Sequence, residues 1–175
     1  MTPSNPILHT TRLKTLFGNW HDGVVYESIP LFYEDWDDES SKLLIACDEE
    51  VQKICAVLHE FELQYVKSLR EHYESPTAEA MTKKISSISA FKGLTTPVVK
   101  VDDGYIPDLH SRYFTADFSY GLAIIKQIAD FAEVITPNID EILNWYRSIA
   151  IEKEEFNYDD YGIKDNESFR QFYLE

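Results

Sequence analysis

Apolar residues recur at three- and four-residue steps along most of the chain, and this spacing constrains the fold more than any other feature. Such steps place side chains on one face of a helix, because an α-helix turns once every 3.6 residues. The pattern runs over residues 43–69, 81–91, 118–132 and 139–149. We therefore predict an all-α fold in which about five amphipathic helices share one core.

Candidate N-cap residues precede several of these helices. They are Asn5, Ser40 or Ser41, Ser75 and Thr136. A proline follows directly after Asn5, Ser75 and Thr136, and proline is favoured in the first helical turn, where its missing N–H is not needed. The segment from Asp117 to about Val134 is predicted to be one continuous helix.

Two stretches depart from the helical pattern. Residues 23–35 are rich in aromatic and β-branched side chains, which favours a short extended segment or hairpin. Residues 152–175 carry eight acidic and three basic side chains together with several aromatic ones. This composition indicates a solvated or partly docked tail, and a partner-binding role is the alternative.

The charge of the chain excludes some classes of partner. With 16 basic and 31 acidic side chains, the formal net charge is −15, which repels nucleic acids and anionic membrane surfaces. Apolar stretches such as 43–46 and 122–125 are far shorter than the roughly 20 residues of a membrane-spanning helix. The first residues show no secretory signal. We therefore expect a cytoplasmic protein with no nucleic-acid or membrane partner.

The cysteine and histidine patterns predict no metal site. Cys47 and Cys55 would lie about 12 Å apart along a helix, beyond the limit of about 7 Å for a disulfide. His59 and Glu60 look like the start of a zinc-protease motif, but Leu63 stands where the second histidine is required.

Four polar residues form a pattern suited to acid–base chemistry. His9 lies one helical turn after Asn5, so both share a helix face, and an imidazole exchanges protons near neutral pH. Asp117 can either cap a helix or pair with a histidine. Arg112 can either bind a carboxylate or form a structural ion pair. From the residues alone, these alternatives stay open.

Two sequence strings around these residues resemble the α-helical domain of the octopine/nopaline (opine) dehydrogenases. They are Asn-Pro-Ile-Leu-His at 5–9 and Arg-Tyr-Phe-Thr-x-Asp-x-x-Tyr-Gly at 112–121. The segments 73–85 and 136–140 look like the same domain, so the resemblance runs from about residue 4 to residue 150. It implies an all-α helical bundle of the type found as the C-terminal domain of these enzymes, similar to that of 6-phosphogluconate dehydrogenase.

The resemblance also implies a reaction and a set of roles. Opine dehydrogenases condense an α-keto acid with the amino group of an amino acid, with NADH or NADPH as hydride donor. His9 would be the acid and base, Asp117 its orienting partner, and Arg112 the anchor of a substrate carboxylate. Asn5 would orient substrate or His9, although capping alone explains it. We therefore predict that His9 and Asp117 lie about 2.6 to 3.2 Å apart and that Arg112 opens into the same cleft.

The sequence differs from the family pattern in one respect. Opine dehydrogenases carry a Rossmann domain ahead of the helical one, and here the sequence starts a few residues before His9. We expect a helical substrate domain at 1–150 and an acidic tail at 151–175, with NAD or NADP bound mainly by a domain that is absent. The chain would be a truncated half, a subunit that meets a separate Rossmann-domain chain, or an inactive remnant. The rival hypothesis is a noncatalytic helical module for oligomerisation or small-acid binding.

Overall fold

The fold is built mainly from helices, which confirms the all-α prediction. The computed structural model describes residues 4–151 and 154–174; residues 1–3, 152–153 and 175, which belong to the predicted domain and tail, lie outside the described residues. The α-helices are α1 (Ser4–Phe17), α2 (Asp38–Val57), α3 (Leu69–His72), α4 (Ala78–Ser87), α5 (Arg112–Thr115), α6 (Ala123–Phe131), α7 (Pro137–Ile149) and α8 (Asn166–Leu174). None of these helices has the length and apolar character that crossing a membrane requires.

Shorter elements connect the helices. They are 3₁₀ turns at His59–Phe61, Leu63–Tyr65, Ser89–Phe91 and Tyr158–Tyr161, a π-helical turn at Phe118–Leu122, and strands β1 (Val98–Val101) and β2 (Gly104–Pro107). The π-helical turn interrupts the single helix that was predicted from Asp117 to Val134. Helix α6 therefore begins only at Ala123 and ends at Phe131.

Helix α1 lies at the centre of the bundle. It contacts α2, α5, α7 and the π-helical turn. Because neighbours surround it, α1 buries polar side chains as well as apolar ones. Its buried residues are Ile7, Leu8, His9, Thr10, Thr11, Arg12, Leu13 and Phe17. Buried polar groups need hydrogen-bond partners, so the fold around α1 is constrained by the partners that His9 and Arg12 require.

Helix α2 is capped by Asp37, so the predicted cap at Ser40 or Ser41 is wrong. The Asp37 carboxylate accepts a hydrogen bond of 2.7 Å from the backbone N–H of Ser40. Ser40 and Ser41 lie inside the first turn and are buried. Ser41 accepts a hydrogen bond from the Trp36 indole instead. Asp is as good a cap as Ser, and the tertiary contacts of Asp37 with Arg12 and of Ser41 with Trp36 decide between them.

Two further helix starts differ from the prediction. Helix α4 is capped by Thr77, which accepts from the N–H of Ala80, whereas the Ser75 hydroxyl is buried and donates to backbone carbonyls. Helix α1 already includes Ser4, so Asn5 lies inside its first turn and is not the N-cap.

The start of helix α7 is confirmed at Thr136 and Pro137, but its cap comes from another helix. The Thr136 side chain makes no capping hydrogen bond. Instead, the buried carboxylate of Glu50 on α2 accepts from the backbone N–H groups of Asn138, at 2.9 Å, and Ile139, at 3.0 Å. A carboxylate at this position satisfies orphan N–H groups and opposes the positive end of the helix.

The hairpin lies at residues 98–107 and not within residues 23–35. In the earlier segment, Tyr26 alone pairs with the hairpin, through two backbone hydrogen bonds of 2.9 Å with Tyr105. Gly104 permits this approach, since a Cβ atom there would lie 2.2 Å from the Tyr26 carbonyl oxygen. The register pairs Val101 with Gly104, so Asp102 and Asp103 form the turn, and an Asp-Asp-Gly run between two apolar segments is a turn signal in the sequence.

The described part of the acidic tail packs against the bundle. Phe169 on α8 is buried, and its ring centroid lies 5.2 Å from that of Phe131 on α6 and 5.5 Å from that of Phe61. The backbone N–H of Phe156 also donates to the carbonyl of Ser119 in the π-helical turn. Phe156, Tyr158 and Phe169 thus dock the segment, while most of its acidic side chains face solvent.

Candidate active site

His9 and Asp117 form a hydrogen-bonded pair between α1 and the π-helical turn. His9 Nδ1 lies 2.7 Å from Asp117 Oδ2, which confirms the predicted distance. A carboxylate only accepts hydrogen bonds, so Nδ1 carries the proton and is the donor of this hydrogen bond. The side chains of His9 and Asp117 are 8% and 12% exposed. A hydrogen bond is stronger when water is excluded in this way. The catalytic roles of both residues stay predictions.

The π-helical turn sets the position of Asp117. The N–H of Leu122 donates to the Asp117 carbonyl at 2.8 Å, a five-residue step that widens the helix. π-Helical turns occur often at functional sites. The Asp117 side chain makes no capping hydrogen bond, so of the two alternatives open from the sequence, the structure favours the histidine partner.

The second ring nitrogen of His9 also has a partner, which the sequence analysis missed. His9 Nε2 lies 2.7 Å from the hydroxyl of Tyr33. The rings of Tyr113 and Phe32 enclose the imidazole, with centroids 4.7 and 5.8 Å from it. Tyr33 stood within the aromatic segment 23–35, but no spacing in the sequence connects it to a residue of α1.

Arg12 holds the loop that carries Tyr33. Its side chain is fully buried and donates to the Phe32 carbonyl at 3.0 Å, the Asp35 carbonyl at 2.6 Å and the Asp37 carboxylate at 2.7 Å. Burial lowers the pKa of Arg12, and the charge and hydrogen bond of Asp37 offset only part of this effect. One buried guanidinium therefore ties α1 to residues 31–37, which the sequence analysis also missed.

Arg112 and Asn5 are both exposed. Arg112 makes no ion pair within residues 4–151 and 154–174, so the structural alternative for it is not supported. Its carbonyl accepts from the N–H of Asp117 at 3.4 Å, and its neighbour Tyr113 contacts His9. The backbone of Arg112 thus lies beside the His9–Asp117 pair, and the opening of its guanidinium toward the same cleft stays a prediction. Asn5 lies one turn before His9 on α1.

The fold and the site define an α-helical domain built around a buried histidine–aspartate pair. The family model that describes the NAD/NADP octopine/nopaline dehydrogenase alpha-helical domain matches residues 1–150. The chain belongs to this family.

Three known proteins illustrate how similar this chain is to other members of the family, each at about 30% identity. A tauropine dehydrogenase from Arabella iricolor is 31% identical over 158 residues, covering 83% of this chain and 39% of that protein. An octopine dehydrogenase from Mizuhopecten yessoensis is 30% identical, covering 81% of this chain and 38% of that protein. A solved structure of octopine dehydrogenase with NADH and pyruvate has a TM-score of 0.72 at 29% identity, covering 83% of this chain and 37% of that chain. The chain therefore spans about two fifths of the length of the curated relatives it matches.

Proposed function

We propose that this chain is the substrate-binding and catalytic half of an NAD(P)H-dependent opine dehydrogenase, which joins an amino acid to an α-keto acid by reductive condensation. The observation that supports this most directly is the 2.7 Å hydrogen bond between His9 and Asp117, two residues 108 positions apart in the chain. Similarity to tauropine and octopine dehydrogenases supports the same chemistry.

His9 is the acid and base of the proposed reaction. The amino group adds to the keto carbon, and loss of water then gives the imine, so one proton must leave the nitrogen and one must reach the departing oxygen. An imidazole can do both near neutral pH. Asp117 holds the Nδ1 proton, which fixes the tautomer, stabilises the imidazolium and leaves Nε2 as the exchanging nitrogen.

Arg112 anchors a substrate carboxylate in this proposal. Both substrates are carboxylic acids, and a guanidinium binds a carboxylate through two parallel charge-assisted hydrogen bonds. Its exposed side chain belongs to α5, which ends two residues before Asp117. Because the chain carries a net charge of −15, a local cation is needed to attract anionic groups. Asn5, exposed on the helix face of His9, orients the substrate.

The nicotinamide cofactor is held mainly outside the described residues. Rossmann domains bind the pyrophosphate at a glycine-rich turn between a parallel strand and a helix. The strands within residues 4–151 and 154–174 form one antiparallel hairpin, and these residues contain no parallel strand followed by a glycine-rich turn and a helix. They therefore do not fit the dinucleotide. NADH or NADPH supplies the hydride, and activity requires a nucleotide-binding domain elsewhere in the protein or in a separate Rossmann-domain chain.

The test is NADH oxidation in a mixture of this chain, the nucleotide-binding domain of a matched relative, pyruvate and a panel of amino acids. We expect oxidation with at least one amino acid and a condensation product detected by mass spectrometry. His9→Ala should lower the rate by about 100-fold or more. His110→Ala is the matched control, because His110 is an exposed loop residue. Undiminished oxidation with His9→Ala would refute the assignment.

Arg112→Lys separates substrate binding from proton transfer. Lysine keeps the charge but loses the two-pronged geometry, so kcat/KM for the keto acid should fall by about 10- to 100-fold. Arg70→Lys is the control, since Arg70 is an exposed arginine that pairs with Glu49.

If no nucleotide-binding domain restores oxidation although pyruvate binds to the chain, the noncatalytic small-acid-binding module is the better description.

A further inference from the structure

Both ring nitrogens of His9 are occupied in the folded chain. Asp117 accepts a hydrogen bond from Nδ1–H, which leaves Nε2 as the nitrogen that exchanges protons. Nε2 lies 2.7 Å from the hydroxyl of Tyr33. Counted over the whole residue, His9 is 7% exposed and Tyr33 is 4% exposed. Water therefore does not compete strongly for Nε2, and the hydrogen bond to Tyr33 controls the environment of the nitrogen that the proposed reaction uses.

A hydroxyl suits this position better than any permanently charged group. It donates to Nε2 when the imidazole is neutral, and it accepts from Nε2–H when the ring is an imidazolium. Burial, with smaller contributions from Tyr113 and Tyr73, raises the pKa of Tyr33 well above its usual value. The hydroxyl thus keeps its proton at neutral pH and can change between donor and acceptor by rotation alone.

The ring of Tyr33 is fixed on several sides. It stacks on Phe91 with a centroid distance of 4.2 Å and an angle of 20°, and it meets Phe32 edge to face at 4.8 Å. The backbone of the same loop is bound by Arg12, whose guanidinium donates to the carbonyls of Phe32 and Asp35. Arg12 follows His9 by three residues on α1, so one helix presents the imidazole and also fixes the loop that contacts it.

We propose that Tyr33 is the positioning residue of His9: its hydroxyl holds Nε2 in both protonation states until substrate takes the place of the hydroxyl for the proton exchange, while Asp117 holds Nδ1 throughout. This inference rests on the proposed function for its catalytic consequence. Its structural part, a Tyr33–Nε2 hydrogen bond that fixes the ring, can be tested without any enzyme activity. Tyr33 acts through His9 and is assigned no contact with substrate.

The first experiment uses long-range ¹H–¹⁵N correlation spectra of the histidine rings in this chain. At a pH where His9 is neutral, the wild type should show a protonated Nδ1 and an Nε2 shifted upfield by the hydroxyl. In Tyr33→Phe, the Nε2 resonance should move downfield, because its donor is lost, while the remaining aromatic contacts are kept. Tyr158→Phe is the matched control, since Tyr158 is 5% exposed and its hydroxyl bonds to Tyr173 in another part of the core.

The second experiment measures NADH oxidation with the same variants in the reconstituted mixture. Tyr33→Phe should lower kcat by about 10- to 100-fold and leave KM for the keto acid within about twofold, because Arg112 is untouched. Tyr158→Phe should resemble the wild type.

The two experiments separate the inference from the proposed function. Unchanged His9 resonances in Tyr33→Phe would overturn the positioning role, whatever the activity. Changed resonances with an unchanged kcat would overturn its catalytic consequence. An inactive wild type with the expected resonance shifts would contradict the proposed function while supporting Tyr33 as the residue that fixes His9.

Discussion

Gly121 and Pro6 lie in direct contact, and a Cβ atom on Gly121 would lie only 2.8 Å from Cγ of Pro6. Pro6 is in the first turn of α1, one turn before His9, and Gly121 is in the π-helical turn that follows Asp117. The missing side chain thus allows α1 to approach the π-helical turn closely. This approach brings His9 within hydrogen-bond distance of Asp117.

Gly121→Ala should therefore push these two elements apart. Overpacking of this kind costs about 1 to 3 kcal/mol, offset in part by the higher helix propensity of alanine. We expect the free energy of unfolding to fall by about 1 to 2 kcal/mol, measured by urea denaturation. The ring-nitrogen resonances of His9 should shift in the same variant. Wild-type stability together with unchanged His9 resonances would show that the close approach is not required.

Helix existence was predictable here because periodicity is a local property. Burial of one face every 3.6 residues leaves a periodic pattern in the sequence wherever a helix packs, and α2, α4, α6 and α7 each overlap a predicted segment. The caps were less predictable. Asp37, Ser40 and Ser41 are all acceptable caps, and the choice among them depends on tertiary contacts to Arg12 and Trp36.

The site was only partly predictable for a similar reason. His9 and Asp117 stand in sequence strings that resemble a known family, so their contact could be expected before the fold was seen. Tyr33 and Arg12 carry no such string. Their roles arise when a loop of irregular structure folds back on α1, and neither spacing nor composition encodes that contact.

Glu50→Gln should destabilise the start of α7. Glu50 accepts hydrogen bonds from the backbone and side chain of Asn138 and from the backbone of Ile139. An amide NH₂ cannot accept a hydrogen bond, so at least one of these buried donors loses its partner. We expect a loss of about 2 to 3 kcal/mol in the free energy of unfolding, measured by urea denaturation.

The neighbouring residue supplies the control for this change. Glu49 is exposed and pairs with Arg70 at 2.8 Å, and an exposed ion pair contributes less than about 1 kcal/mol. Glu49→Gln removes the same charge from the same helix and should be close to the wild type. Equal losses in Glu49→Gln and Glu50→Gln would mean that net charge, and not the cap on α7, sets the effect.

Asp117→Asn should impair the proposed reaction more than it impairs folding. Asparagine keeps the shape of the side chain but removes the negative charge that stabilises the imidazolium, and its NH₂ can face Nδ1 and favour the other tautomer. We expect kcat to fall by about 10²- to 10⁴-fold in the reconstituted assay.

Asp130→Asn is the control for this substitution, since Asp130 is an exposed residue of α6 that pairs with Lys126. It should retain the wild-type rate. An Asp117→Asn variant within about twofold of the wild type would remove Asp117 from the proposed role.

Asp37 should make the stability of the chain depend on pH. Burial raises the pKa of the Asp37 carboxyl, but hydrogen bonds from Ser40 and the charge and hydrogen bond of Arg12 outweigh burial, so the pKa lies below its usual value of 3.8. A group with a lowered pKa in the folded state stabilises the protein above its unfolded-state pKa, and this contribution is lost as the pH falls through the folded-state value.

Asp37→Asn tests this dependence because asparagine still caps α2 but cannot pair with Arg12. The Asp37 side chain is half exposed, so we expect a loss of only about 1 to 2 kcal/mol at pH 7. The difference from the wild type should shrink below about pH 4. Asp37→Ala also removes the cap, and its further loss of about 1 kcal/mol should persist at low pH. Urea denaturation at several pH values measures both, and a constant gap between wild type and Asp37→Asn would contradict the ion pair with Arg12.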